Sequence, residues 1–407
     1  MNLLFDFTVL GERMAVVAFF FSPIVLGYLV VFFYRQLKQA QFIKKLDWVL
    51  LEIKLPRELR KSPQAMEIVL AAMHQPLEGT WFTRLTEGVV RHWFSLEMVS
   101  FGGSVHFYIR TNKGAKNLIE SQIYAQYPGV EVLEVDDYTA NVPYGLPAAD
   151  WDLAGFEFQL TKEDPYPIRT YIDYGLDKNP KEEEKVDPMG SLVELLGSIK
   201  SGEQMWFQFL IMASKDRFME KGAWFKKISW TKKAQEIIKE RMSKYKESGD
   251  KISLTSLPPG EEDIIKAIQR SIGKFGFDTG IRAIYLGKKD IFNKANFGAM
   301  AGVMKQFSTE NLNGFRPAHS TSIKYPWQDI FGWKIIRYKW RMFDEYRRRA
   351  YFYNSLFRQK KIFVLNTEEL ATLYHLPGQV VETPTFERIE SRRAEPPPNL
   401  PIDETES

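Results

Sequence analysis

The sequence predicts an α+β protein carried on one membrane-spanning helix, and three observations predict it. Met14 to Tyr34 is a run of 21 residues without a charge, in a chain whose overall composition is that of a soluble protein. Strand and helix patterns then follow in the order strand, helix, strand, strand, helix, strand, and a similar alternation recurs further on. A late segment, residues 334–361, collects ten Lys or Arg interleaved with aromatics. The expected architecture is one N-terminal transmembrane helix, two ferredoxin-like (split βαβ) domains and a basic C-terminal helix. The expected boundaries are a tail at 1–13, the spanning helix at 14–34, a first α+β domain at 35–139 and a linker at 140–151. A second α+β domain at 152–320, the basic helix with a strand–helix piece at 321–391, and a disordered tail at 392–407 complete it.

The anchor comes first. About 20 predominantly apolar residues satisfy their own backbone groups across a hydrocarbon core. A cleaved signal peptide needs a basic start, a shorter apolar stretch and a small-residue cleavage site. Here the residues before the run include Asp6, Glu12 and Arg13, and the run ends in Phe32-Phe33-Tyr34. One basic residue, Arg13, precedes the run, whereas Arg35, Lys38, Lys44 and Lys45 follow it closely. The flanking charge predicts a plasma (inner) membrane protein with its N-terminus outside and its body cytoplasmic. The chain has no cysteine, which suits a reducing compartment and excludes thiolate metal sites and a thiol nucleophile.

The elements of the body follow in order. Trp48 to Leu55 reads as a strand. Ser62 caps a helix with Pro63 at its first position, and Met66, Val69, Leu70 and Met73 form the apolar stripe. Phe94–Ser100 and Val105–Arg110 flank Phe101-Gly-Gly-Ser104, the composition of a tight hairpin. Gly114–Tyr127 is a helix with Leu118, Ile119 and Ile123 inward, stopped by Pro128-Gly129, and Val130–Val135 is a strand. In the second half, Phe156–Leu160 and Gln204–Ala213 are strands around a helix at Met189–Lys200. Lys215–Gly260 is charged, with one exposed helix. Glu261–Phe275 is amphipathic, with Ile264, Ile265, Ile268, Ile272 and Phe275 facing in. Gly280–Leu286 is a strand, and Asp290 caps a helix running to Phe307. The stretches Ile119–Val135 and Ile268–Leu286 both read helix, aromatic-containing turn, strand, which suggests a duplicated unit. Asn311–Pro317 is turn chemistry. Ile362–Leu365 is a strand, and Asn366 with Glu369 forms a near capping box for a closing helix.

No catalytic motif emerges. The chain lacks G-x-x-x-x-G-K-[ST], G-x-S-x-G and H-E-x-x-H patterns. His74, His92, His106, His319 and His375 are scattered; His92 and His106 fall near one hairpin, but no carboxylate stands at ligand spacing. The expectation is a non-enzyme with no catalytic residue, metal or cofactor. Gly298-Ala-Met-Ala-Gly302 is a G-x-x-x-G read as close helix–sheet packing. The basic segment supplies the candidate anionic-surface contacts: Lys334, Arg337, Lys339, Arg341, Arg347, Arg348, Arg349, Arg358, Lys360 and Lys361. Three readings stay open for it: an amphipathic helix packed on its own domain, contact with anionic lipid headgroups, or phosphate contact with nucleic acid.

Several phrases carry a resemblance. Ser62-Pro-Gln-Ala-Met-Glu67, Ser121-Gln-Ile-Tyr-Ala-Gln-Tyr-Pro128, Asp278-Thr-Gly-Ile-Arg282, Asn311-Leu-Asn-Gly-Phe315 and the stretch from Leu365 to Gly378 (LNTEELATLYHLPG) are among them. They resemble the membrane-anchored N-terminal, non-ATPase region of bacterial conjugation or type IV secretion-like ATPases, of the type found in Patescibacteria. The resemblance implies a region that precedes a hexameric P-loop motor, with Ala394–Pro401 resembling the linker into it. No P-loop is present in this sequence, so the resemblance implies a non-catalytic platform for a separate P-loop ATPase. Its expected partners are the lipid bilayer, that ATPase and further copies of the chain. The alternative is a membrane-tethered nucleic-acid-binding module using the basic aromatic helix at 334–361.

Overall fold

The computed structural model describes residues 7–56, 61–143, 150–177, 186–220, 226–245, 257–323, 325, 327, 329–353 and 360–378. They fall into two compact units. The first comprises residues 1–47 and 76–92; the second comprises residues 48–75 and 93–407.

In the first unit, α1 (Phe7–Lys45) is one continuous helix with Pro23 inside it. Its stretch Met14–Lys45 is long and apolar enough to cross a membrane, with a mean hydropathy of 2.5 in its best window and none of that window buried. The short α3 (Trp81–Thr86) belongs to the same unit, and Thr80 caps it by accepting the Thr83 amide.

The second unit is built on a nine-stranded antiparallel sheet. Its first half contributes β1 (Trp48–Lys54), β2 (Trp93–Phe101), β3 (Ser104–Asn112) and β4 (Glu131–Val135). Helices α2 (Gln64–Met73) and α4 (Lys116–Gln126) connect them. The second half contributes β5 (Trp151–Leu160), β6 (Glu203–Ala213), β9 (Gly276–Lys288) and β10 (Phe315–Ala318). A two-stranded ribbon of β7 (Phe218–Met219) and β8 (Lys227–Ile228) leads to α6 (Trp230–Ser243) and α7 (Pro259–Ile272). The other helices of this half are α5 (Pro188–Gly197) and α8 (Ala295–Gly302). The spatial order is β10-β5-β9-β6-β2-β3-β1-β4, and β11 (Phe363–Asn366) pairs with β9 beyond this path. Both halves therefore carry the connection order 4-1-3-2, and their second strands, β2 and β6, pair antiparallel from Trp93↔Met212 to Phe101↔Gln204. One sheet serves both halves.

Periodicity explains the layers. In a strand alternate side chains face opposite sides, so Leu51, Ile53, Leu96, Met98, Phe207 and Phe209 feed one core with α2, α4, α5 and α10 (Thr367–Leu373). Trp206, Val99, Ile284 and Leu286 feed the opposite face, which α9 (Trp333–Arg347) covers through Met342, Phe343 and Tyr346. The hairpin is tight because Gly102 (φ +58°) and Gly103 (φ +97°) take a conformation that L side chains resist.

Several expectations change. Phe275 is 55 % exposed and lies beyond the end of α7, where it stacks on His74 at 4.8 Å. Asp290 does not cap α8; Asn293 Oδ1 accepts the Ala295 amide instead. The helix is also shorter than expected, ending at Gly302 before a 3-10 turn to Phe307. A Cβ at Gly298 or Gly302 would meet nothing within 4 Å, so the G-x-x-x-G does not serve close packing. Phe315–Ala318 is a strand rather than a turn, which Pro317 permits because β10 is an edge with no ladder bond required on its outer side. The exposed helix of the charged stretch buries Trp230, Ala234 and Ile237. The compared helix–strand stretches are α4–β4 and α7–β9, which occupy different places in the strand order. The tail at 392–407 lies outside the described residues.

Candidate functional site: a buried ionic rung beneath the basic helix

One rung crosses the sheet on the face under α9. Reading across strands, Glu52, Tyr108, Glu97, Gln208, Arg282 and Glu157 stand directly opposite one another. Opposed residues of an antiparallel pair point to the same side, so the rung places polar groups side by side within an otherwise apolar layer. Glu97, Gln208 and Arg282 are fully buried.

Hydrogen bonds run along the rung. Arg282 Nη1 donates to Gln208 Oε1 at 3.1 Å, and Gln208 Nε2 donates to Glu97 Oε1 at 3.1 Å. At the other end Arg282 Nη2 donates to Glu157 Oε1 at 3.2 Å. The covering segment supplies the remaining charges. Arg349 grips Glu97 with Nε at 2.9 Å and Nη2 at 3.0 Å, a bidentate pair, and also pairs with Asp137. Tyr138 donates to Glu97 at 2.7 Å and bonds the Tyr346 hydroxyl at 2.8 Å. Lys360 reaches both Glu157 and Glu345, the latter at 2.5 Å. His319 Nδ1 stands 3.1 Å from Glu157 Oε2.

The electrostatics are those of a compensated interior. Burial pushes Glu97 up, but the Arg349 guanidinium, with Ser95 and Tyr138, outweighs it and holds the carboxyl below its ordinary range. Glu157 and Glu345 follow the same logic against Arg282 and Lys360. Burial, together with the Arg282 charge, lowers Lys360 despite its two carboxylates. Burial raises Tyr138 and Tyr346 far above the phenol range, so both stay protonated donors. Glu97, Asp137, Glu157 and Glu345 thus face Arg110, Arg282, Arg349 and Lys360, and Arg341 adds a further cation at Glu345. His319 (φ +47°) and Arg349 (φ +49°) are the positive-φ non-glycine residues among the described residues, and both feed this network. Their strain concentrates where the charges meet.

The ten basic candidates therefore divide. Arg349 and Lys360 are buried in these ion pairs and cannot present a surface to an anion. Lys339 pairs with Asp152 at 2.5 Å, Arg341 with Glu345 at 2.9 Å and Arg348 with Asp344 at 2.5 Å. The Arg347 guanidinium lies 5.7 Å from the Phe343 ring centre. Lys334, Arg337 and Lys361 are exposed. Arg358 lies outside the described residues. Amphipathicity could not separate Arg349 from Arg348, because only the cross-strand partner Glu97 decides which one turns inward.

Three features escaped the sequence reading. Ile330, Phe331, Trp333 and Ile336 are 78 %, 82 %, 76 % and 49 % exposed, an apolar patch at the start of α9 beside Lys334 and Arg337. A cleft of about 480 Å³ is lined by Phe218 and Phe363, by Lys233, Arg316 and Lys361, and by the carboxylates Glu163 and Asp164. A second cleft of about 350 Å³ is lined by His319, Ser320, Tyr338, Arg341, Met342 and Glu345, whose charged members are engaged in the rung. Among the described residues no group of three or more His, Cys, Asp or Glu is placed to hold a metal ion. His106 bonds Glu52 at 2.7 Å.

The resembling phrases have structural duties. Glu67 accepts from Tyr171 and Lys274 at 2.7 and 2.5 Å. Asn313 accepts the Lys162 amide and donates to the Glu163 and Tyr166 carbonyls. In the Leu365–Gly378 phrase, a full capping box joins Asn366 and Glu369, and Glu369 also accepts the Ile168 amide at 2.9 Å. These residues tie distant loops to the sheet. No curated protein matches the chain significantly. A family model does match, over residues 35–388, beginning directly after the uncharged run, and the chain belongs to that family, described as a domain of unknown function (DUF8128).

Proposed function

We propose that this chain is a non-catalytic, single-pass membrane protein that serves as a platform for a separate P-loop ATPase in type IV secretion or conjugation-like transfer. The observation that carries the reading is the patch of Ile330, Phe331, Trp333 and Ile336, whose first three side chains are among the most exposed large apolar groups of the second unit. Soluble surfaces seldom leave large apolar side chains contiguous unless something covers them. Among the described residues neither Lys334 nor Arg337 has an ion-pair partner. Together they form the apolar centre and charged rim of a protein interface. In this reading the body is two ferredoxin-like units fused edge to edge, which the repeated 4-1-3-2 order supports. The body lies on the cytoplasmic side, which the Lys and Arg after Tyr34 support.

The test is affinity purification of the full chain from its own membranes in detergent, followed by mass spectrometry. A stoichiometric P-loop ATPase is the expected companion. Recovery of the chain alone, or with nucleic acid only, overturns the platform reading.

The second reading is a nucleic-acid module, favoured by the cleft that sets Lys233, Arg316 and Lys361 near the half-buried Phe218, with Glu163 and Asp164 also in its lining. Phosphates meet cations while bases stack on aromatic rings. Such binding weakens steeply with salt, in proportion to the phosphates neutralised. An apolar docking interface does not, so one salt titration separates the two readings.

A further inference from the structure

We infer that residues 76–92 form an interfacial strap, which seats its aromatic side chains in the headgroup layer of the bilayer that α1 crosses. The inference rests on the reading of α1 as a membrane anchor. The chain leaves the second unit after α2, enters the first unit at Pro76 and returns at Trp93. The excursion packs on α1 at a defined depth. Gly88 (φ +76°) lies so close to the helix that a Cβ there would stand 2.2 Å from the Lys38 carbonyl carbon. Lys38 is four residues beyond Tyr34, the last residue of the uncharged run. At the helical rise this is about 6 Å past the run, within the layer of a few ångströms that separates hydrocarbon from water.

The same strap packs its helix α3 on α1 and presents Leu77, Trp81 and Phe82 with 77 %, 69 % and 58 % of their surface exposed. Trp81 and Phe82 meet edge to face, with ring centres 6.0 Å apart. The polar members are engaged behind them, since Glu78 holds Arg84 at 3.4 Å and Arg91 at 3.9 Å. Trp81 carries the chemistry of the membrane–water boundary, where the ring buries its body and keeps its indole N–H wet, and Leu77 and Phe82 add apolar surface beside it. The occupant of this surface is therefore lipid: the glycerol and upper acyl region around the emerging end of α1. The strap fixes how far the helix slides along the membrane normal.

The absence of native cysteines makes the test direct. The full chain is reconstituted in phosphatidylcholine–phosphatidylglycerol nanodiscs as three single-cysteine variants, Phe82→Cys, Phe21→Cys and Lys266→Cys. Each is labelled with an environment-sensitive fluorophore and quenched with shallow or deep lipid-borne nitroxides, or with aqueous iodide. The Phe82 position should lose most of its emission to the shallow nitroxide and less to the deep one. The Phe21 position should respond to the deep nitroxide, and Lys266 to iodide alone. Phe82 behaving like Lys266 while Phe21 remains lipid-quenched overturns the strap and leaves the anchor standing. Phe82 shielded from both iodide and lipid assigns the surface to protein and also overturns it. Phe21 open to iodide removes the anchor itself, and the strap with it.

Discussion

Arg349 is the residue on which the α9 segment closes. Its guanidinium is buried and satisfies Glu97 and Asp137 together, while its own backbone sits at φ +49°. Arg349→Met leaves Glu97 buried without its counter-charge, and breaking a buried pair from one side costs about 3–5 kcal/mol. Urea unfolding of the detergent-solubilised protein should show that loss. The double variant Arg349→Met with Glu97→Gln should recover part of it, because no uncompensated charge then remains; a double variant as unstable as the sum of both singles contradicts the pairing. Other carboxyls act oppositely on pH. Burial raises Glu369 from its ordinary 4.5 to about 8 and Asp164 from 3.8 to about 6. In that window the folded state binds more protons than the unfolded one, so stability falls as pH rises from about 4.5 to 8. Glu97, Glu157 and Glu345 are lowered, and their contribution is complete above their unfolded range and lost below it as acid protonates them. Urea midpoints should therefore peak near about pH 5 and decline toward pH 8, and midpoints rising over that interval refute the assignment.

At the scale of elements, turns and edges decide. The β2–β3 hairpin needs positive φ at both Gly102 and Gly103, and a Cβ at Gly103 would stand 3.0 Å from the Gly197 carbonyl oxygen. Gly103→Ala should cost about 1–3 kcal/mol through strain at that φ, read as a lowered melting temperature. An unchanged melting temperature would mean the turn relaxes to another type. The hairpin itself was legible, because Gly-Gly between alternating apolar residues leaves few other conformations. The α2 stripe was legible for a related reason: Met66, Val69, Leu70 and Met73 are all buried, as their spacing requires. Local pattern failed where position in the sheet overrides it. Phe315-Arg-Pro-Ala318 reads as turn residues, and it becomes β10 because an outer edge tolerates a missing amide proton. Phe275 falls on the apolar stripe of α7, yet the helix ends three residues earlier and the ring meets His74 instead.

At the scale of the whole molecule, the apolar patch at the start of α9 stays exposed beside Lys334 and Arg337, which hold no ion pair among the described residues. Lys334→Glu with Arg337→Glu should abolish recovery of the proposed ATPase partner while leaving the melting temperature unchanged, since neither side chain holds an ion pair among the described residues. Undiminished recovery would place the docking surface elsewhere. The same variant should alter DNA retention only slightly, because Lys233, Arg316 and Lys361 lie in a different cleft.

The sequence by itself determined the apolar helix, the mixed α+β class and the hairpin and helix patterns, because each is a matter of local spacing and solvent transfer. Tertiary structure alone decided that both halves share one sheet through β2 and β6. It alone decided that Arg349 and Lys360 turn inward to Glu97, Glu157 and Glu345 while Lys334 and Arg337 turn out. A charged side chain looks alike in sequence whether solvated or paired; Glu97 is 252 residues from Arg349 and Glu157 is 203 from Lys360, each brought near by strand register that no local pattern encodes.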